Sequence, residues 1–199
     1  KPDRPEVQKL MAQLEKREEF ITFLKNGDYE SALLLDPNNP QALAMIEADI
    51  KVALDSDDYK AVRSLVNGLT TISIEVAEAL AEKEGYLSLD GLTSMSVEVA
   101  EALAKRRLFL TLTLNGLTTI SVEVAEALAK KEGYLYLNGL TSISVEVAEA
   151  LGKYQGSLYL DGLTNPSVEV TAALDKYESD LVLDDLTNLS VEVAAMTFN

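Results

Sequence analysis

The segment GLTSISVEVAEAL, Gly139 to Leu151, is one of six near-copies in the chain, and no other feature restricts the fold as strongly. The others are GLTTISIEVAEAL from Gly68, GLTSMSVEVAEAL from Gly91, GLTTISVEVAEAL from Gly116, GLTNPSVEVTAAL from Gly162 and a degenerate DLTNLSVEVAAM from Asp185. Successive starts lie 23, 25, 23, 23 and 23 residues apart. So short a period leaves each copy room for one supersecondary unit, which can bury its apolar side only against its neighbours.

Each unit reads as a strand, a turn and a helix. The strand is an L-x-L tripeptide: Leu87-Ser88-Leu89, Leu112-Thr113-Leu114, Leu135-Tyr136-Leu137, Leu158-Tyr159-Leu160 and Leu181-Val182-Leu183. Period-2 alternation turns the leucines inward and the middle residue outward. Asp90-Gly91, Asn115-Gly116, Asn138-Gly139 and Asp161-Gly162 then form a turn in which glycine tolerates positive φ and the Asx side chain can bond nearby backbone. Ser73, Ser96, Ser121, Ser144, Ser167 and Ser190 stand where an N-cap should. A Glu two residues later suits the helix dipole, as do Lys83, Lys105, Lys130, Lys131, Lys153 and Lys176 near the far end. Val147, Ala148, Ala150 and Leu151 give the helix a face of small apolar groups that can lie close to a sheet.

On these motifs residues 68–199, about two-thirds of the chain, resemble the leucine-rich repeat proteins in their compact Gly-Leu-Thr form, familiar from bacteria. The resemblance implies an α/β solenoid, with short parallel strands on its concave side and helices on its convex side. The commonest signature of that family carries an Asn or Cys ladder. Here Thr70, Thr93, Thr118, Thr141, Thr164 and Thr187 are expected to bond the backbone of adjacent turns instead.

Residues 1–67 lack the period and read as an all-helical N-terminal cap, which an end repeat needs to keep its leucines from water. Val7, Leu10, Met11, Leu14, Phe20, Ile21 and Leu24 fit one face of a helix from Pro5 to Lys25, stopped by Asn26-Gly27. Further helices are expected over Tyr29 to Leu35, Gln41 to Leu54 and Asp58 to Val66. In GDYESALLLDPNNP, Tyr29, Ala32, Leu33, Asp36, Pro37 and Asn39 resemble fragments of a tetratricopeptide repeat, although Tyr29 and Asp36 are too close for that family's full second helix. At the other end the sixth unit reaches Asn199 only a few residues into its helix, so closure by further chain or by a partner is expected. A chain that opens on Lys1 rather than Met is expected to be a processed product or an excised piece.

Composition removes most alternatives. Without cysteine there is neither disulfide nor thiolate chemistry, and without histidine the commonest general base and metal ligand are missing. A formal charge of −16 disfavours nucleic acid and anionic membranes, both of which call for clustered Lys and Arg. No apolar run nears the ~20 residues of a membrane span. A noncatalytic protein-interaction module without cofactor or metal is therefore expected, its partner being a protein.

The candidate site follows from the register. Stacked strands place Ser88, Thr113, Tyr136, Tyr159 and Val182 in one outward column, and Tyr86, Thr111, Tyr134, Ser157 and Asp180 in the column before it. The column after it holds Asp90, Asn115, Asn138, Asp161 and Asp184; its oxygens suit calcium, but a turn before glycine explains them without an ion. Tyr86, Thr113, Tyr134, Tyr136 and Tyr159 are the expected contact residues, since near-identical copies differ there and tyrosine offers area with a polar tip. The insertion AKRRLFLTLTLN adds Arg106, Arg107 and Phe109 in an otherwise acidic array, either as the repacking of a longer loop or as a docking point for an acidic or apolar partner. Five strands with three outward positions each offer about 15 residues, fewer than the ~20 to 30 per side of a standard interface. Loops, the cap or further subunits are expected to supply the remainder. The rival readings are a structural subunit that stacks through its open C-terminal repeat and a carbohydrate-binding surface.

Overall fold

The computed structural model describes residues 5–36, 39–83, 85–105, 111–177 and 180–183. Four helices come first: α1 (Pro5–Lys25), α2 (Tyr29–Leu35), α3 (Pro40–Asp55) and α4 (Tyr59–Asn67). Then come α5 (Ile74–Ala81), β1 (Leu87–Ser88), α6 (Val97–Ala104), β2 (Thr111–Thr113), α7 (Val122–Leu128), β3 (Glu132–Tyr136), α8 (Val145–Leu151), β4 (Gln155–Tyr159), α9 (Val168–Leu174) and β5 (Leu181–Val182). The chain is α/β: its five strands are parallel and lie in sequence order, β1-β2-β3-β4-β5, and α5 to α9 pack side by side in the same order. Among the described residues, no helix is long and apolar enough to cross a membrane. The sixth unit, with Ser190 and Thr187, and the insertion residues Arg106, Arg107 and Phe109 lie outside the described residues.

The leucines set this order. Leu87, Leu112, Leu135, Leu158 and Leu181 stand opposite one another from strand to strand, and Leu112, Leu135 and Leu158 are fully buried. The second leucines Leu89, Leu114, Leu137 and Leu160 are buried too, and the N–H of the first three reaches the next unit: Leu89 to Thr113 O, Leu114 to Tyr136 O and Leu137 to Tyr159 O, each at 2.9 Å. The two extra residues precede β2 and leave the register intact.

Helix starts follow the repeated serine. Ser73, Ser96, Ser121, Ser144 and Ser167 each accept a bond from the N–H three residues on, at 3.3 to 3.4 Å. The carboxyls of Glu98, Glu123, Glu146 and Glu169 are held below the usual range, first by their own backbone N–H and then by the capping serine. Val147, Ala148, Ala150 and Leu151 are all buried, as the pattern requires. On the exposed side, Lys105 pairs with Glu78 at 3.7 Å, Lys130 with Glu101 at 3.1 Å and Lys153 with Glu126 at 4.0 Å, linking each helix to the one before. Such pairs contribute little singly. Lys131 departs from the expected helix-end role, for it is buried and its ammonium donates to the Glu132 carbonyl.

The glycines and threonines of the motif act differently from the sequence-based expectation. Positive φ occurs at Gly27, Gly85 and Gly133, not at Gly91, Gly116, Gly139 or Gly162. These four are required by close approach instead. A Cβ on Gly116 would lie 2.1 Å from Asp90 O, and one on Gly139 2.0 Å from Asn115 O. Among the described residues the hydroxyls of Thr93, Thr118 and Thr141 do not carry the ladder, for these side chains are exposed. The rungs belong to the Asx residue three places earlier, whose short carbonyl side chain reaches the equivalent N–H of the next unit. Asp90 Oδ1 accepts from Asn115 N at 2.8 Å, Asn115 Oδ1 from Asn138 N at 3.0 Å and Asn138 Oδ1 from Asp161 N at 3.1 Å.

The cap joins this stack by imitation. The end of α4 occupies the place of a preceding unit, for a Cβ on Gly91 would meet Asn67 O at 2.5 Å and Leu69 O at 2.8 Å, just as Gly116 faces Asp90 O and Leu92 O. Thr93 N–H donates to Thr70 O at 3.0 Å, and Leu69 is fully buried. Lys83 Nζ adds a bond to Leu54 O at 2.7 Å and an ion pair with Asp57 at 3.1 Å. A helix thus covers the first edge of the sheet. The apolar face expected on α1 is covered only near its end, where Leu24 is buried and Phe20 and Phe23 are partly so. Met11 is 53% and Leu14 50% exposed, because the seven-residue α2, about 10 Å long, cannot flank a helix of about 31 Å. The side chains of Val7 and Leu10 lie outside the description.

Candidate functional site

The outward columns assemble on the sheet face opposite the helices. Tyr136 and Tyr159 stand opposite each other on β3 and β4, and their rings stack with centroids 4.0 Å apart and planes 9° from parallel. Tyr134 precedes them, 43% exposed, in register with Thr111 and Ser157. Tyr86, one place before β1, is 55% exposed and continues that line towards the cap. Two strands and the approach to β1 therefore present four tyrosines on one surface.

Thr113 is corrected from a contact residue to a structural one. Only 4% of it is exposed; its hydroxyl donates to Asp90 Oδ2 at 3.1 Å, and the Tyr86 hydroxyl lies 3.4 Å away. Ser88 donates to the same Asp90 oxygen at 2.9 Å. Small hydroxyls between large tyrosines sink beneath them and find their partner inside the ladder. Arg106, Arg107 and Phe109 lie outside the described residues.

A residue that reading the repeats alone missed is Arg63, on α4, whose guanidinium carbon lies 5.6 Å from the centre of the Tyr86 ring. A signal was present: Arg63 precedes Tyr86 by 23 residues, one full period. Asp90, Asn115 and Asn138 of the Asx column, each with its Oδ1 committed to an N–H donor, are scaffold. Among the described residues no group of three or more acidic side chains is placed to hold a metal ion.

No family model, curated protein or solved structure matches the chain.

Burial beside its neighbours pushes the Tyr136 hydroxyl up to about 12 from an ordinary 10.0, with the contact to Tyr159 adding to the effect. Tyr177 rises to about 12, chiefly through burial, and Tyr29 to about 12 through its hydrogen bond to Asp49. In each case the neutral phenol is favoured by the fold. The stabilisation is fully present below pH 10 and is lost as pH climbs from about 10 to about 12. Urea midpoints should fall across that window, and absorbance titration at 295 nm should lose its late component in Tyr136→Phe. A flat midpoint up to pH 12 would contradict these environments.

Proposed function

We propose that residues 68–199 form a leucine-rich repeat solenoid with a helical N-terminal cap, and that the chain is a noncatalytic protein-interaction module working through its strand face. The observation that carries the reading is the stacked, half-buried Tyr136–Tyr159 pair flanked by the exposed Tyr86 and Tyr134. Glycine, Asx, serine and leucine of each unit are engaged in close approach, ladder, cap and core. The residues free to vary are those that face outward, and aromatic anchors with polar tips are the side chains that dominate protein interfaces. Arg106, Arg107 and Phe109 belong to the proposal as a flanking contact.

Photo-cross-linking tests the choice of face. A benzoylphenylalanine at position 136 should trap a protein partner from extract, and the same probe at Glu126, on the helix side, should not. Equal trapping by both probes, or trapping only at position 126, would reject the strand face. The rival, a subunit that stacks through its C-terminal repeat, predicts self-association in sedimentation, whereas the interaction module sediments as a monomer.

A further inference from the structure

Where α4 stands in for a strand, it leaves a space that a strand would have filled. Between α4 and the start of β1 lies a cleft of about 380 Å³. Its floor is made by Val62, Val66, Leu80 and Leu87, core side chains whose edges the cleft reaches. Its rim carries Lys60, Arg63 and Tyr86. Lys60 and Arg63 are one helical turn apart on α4 and so share a side of that helix. Lys83, also at the rim, is already engaged by Asp57 and Leu54 O. Among the described residues no carboxylate pairs with Lys60 or Arg63; Arg63 lies over the Tyr86 ring.

An apolar slot edged by two cations that no described carboxylate pairs is out of keeping with a chain of net charge −16. Apolar floor and cationic rim together select a ligand that is apolar at its tip and anionic beside it. Position matters as much. Tyr86 borders the cleft and also begins the tyrosine surface, so one extended segment can touch both. The strand face alone offers fewer residues than a standard interface, and the cleft extends it.

We infer that this cleft is a docking site for an acidic segment of the protein partner: an apolar side chain enters between α4 and β1, and adjoining carboxylates meet Lys60 and Arg63. This rests on the interaction function proposed above and adds the chemistry of the ligand. The probe is the peptide acetyl-Asp-Leu-Asp-amide, titrated into the full chain and followed by NMR. Saturable shifts are expected at Val62, Val66 and Leu87. Acetyl-Asn-Leu-Asn-amide and acetyl-Asp-Gly-Asp-amide should each bind at least about fivefold more weakly, the range set by two exposed ion pairs or one apolar anchor. The double variant Lys60→Gln, Arg63→Gln should weaken the acidic peptide by a similar factor and leave the Asn peptide unaffected. Both substitutions sit on the exposed side of α4, so the spectrum beyond Tyr86 and the cleft itself should be unchanged. Silence at the cleft signals, or equal binding of the three peptides, would overturn the inference, as would tighter binding of sodium octanoate at the same place. Tyr136 and Tyr159 report separately: shifts there without shifts in the cleft would overturn the docking site and leave the strand-face reading standing.

Discussion

Gly139→Ala should destabilise the protein by about 3 kcal/mol, the upper end of the range for overpacking, because one added carbon meets backbone rather than a side chain that can turn aside. The new Cβ would lie 2.0 Å from Asn115 O and 2.7 Å from Leu117 O. Both carbonyls belong to the preceding unit. That turn is held by its own rung, Asn115 N to Asp90 Oδ1, so it can retreat only by opening the ladder. For a chain of this size the loss corresponds to a fall in melting temperature of about 6 to 12 °C. Gly152→Ala is the control: its nearest contact is at 3.2 Å in right-handed backbone, and a change within about 1 kcal/mol is expected there. Scanning calorimetry of the two variants checks both, and equal melting temperatures would refute the close-approach explanation of the repeated glycine.

Leu135→Ala should be comparably severe, about 3 kcal/mol within the 2 to 5 range for emptied leucine sites. Leu135 lies between Leu112 and Leu158 in register, all three fully buried. The strand backbone on both sides is pinned by ladder bonds, which limits collapse into the cavity. Because each unit contacts only its neighbours in sequence order, damage in the third strand also weakens the coupling between the first two units and the last two. Urea unfolding should therefore show a lower midpoint and a shallower transition than wild type. A parallel shift with unchanged slope would mean that the array unfolds as one unit despite the lesion.

Much of this architecture is legible in the residues, and the exceptions have physical causes. Helix α1 ends, and α2 begins and ends, where Asn26-Gly27, Asp28 and Asp36 direct, since those residues act locally. The cross-strand register follows from the period alone. Exposure does not: Thr113 occupies an outward position and is buried because Tyr86, from another unit, leans over it. The role of the motif glycine was legible as a need for glycine but not as its cause, because close approach depends on the neighbouring turn and φ depends on the residue itself. The join between cap and repeats was the least legible part. Asn67-Gly68-Leu69-Thr70 carries the Asx-Gly-Leu-Thr words of the other units, but the residues before it form helix α4, so the same turn is reached from a helix instead of a strand. Arg63 entered the site by that route.

The proposed function divides labour within each unit, with repeated words for mechanics and the variable tripeptide for recognition. Tyr136→Ala combined with Tyr159→Ala tests it most directly, by titration calorimetry against the partner trapped at position 136, with the melting curve recorded in parallel. Removing a stacked, partly exposed pair should weaken binding by at least about tenfold, as expected for interface anchors, while the melting temperature changes by no more than a few degrees. Unaltered affinity in a normally folded double variant would contradict the assignment of function to the strand face.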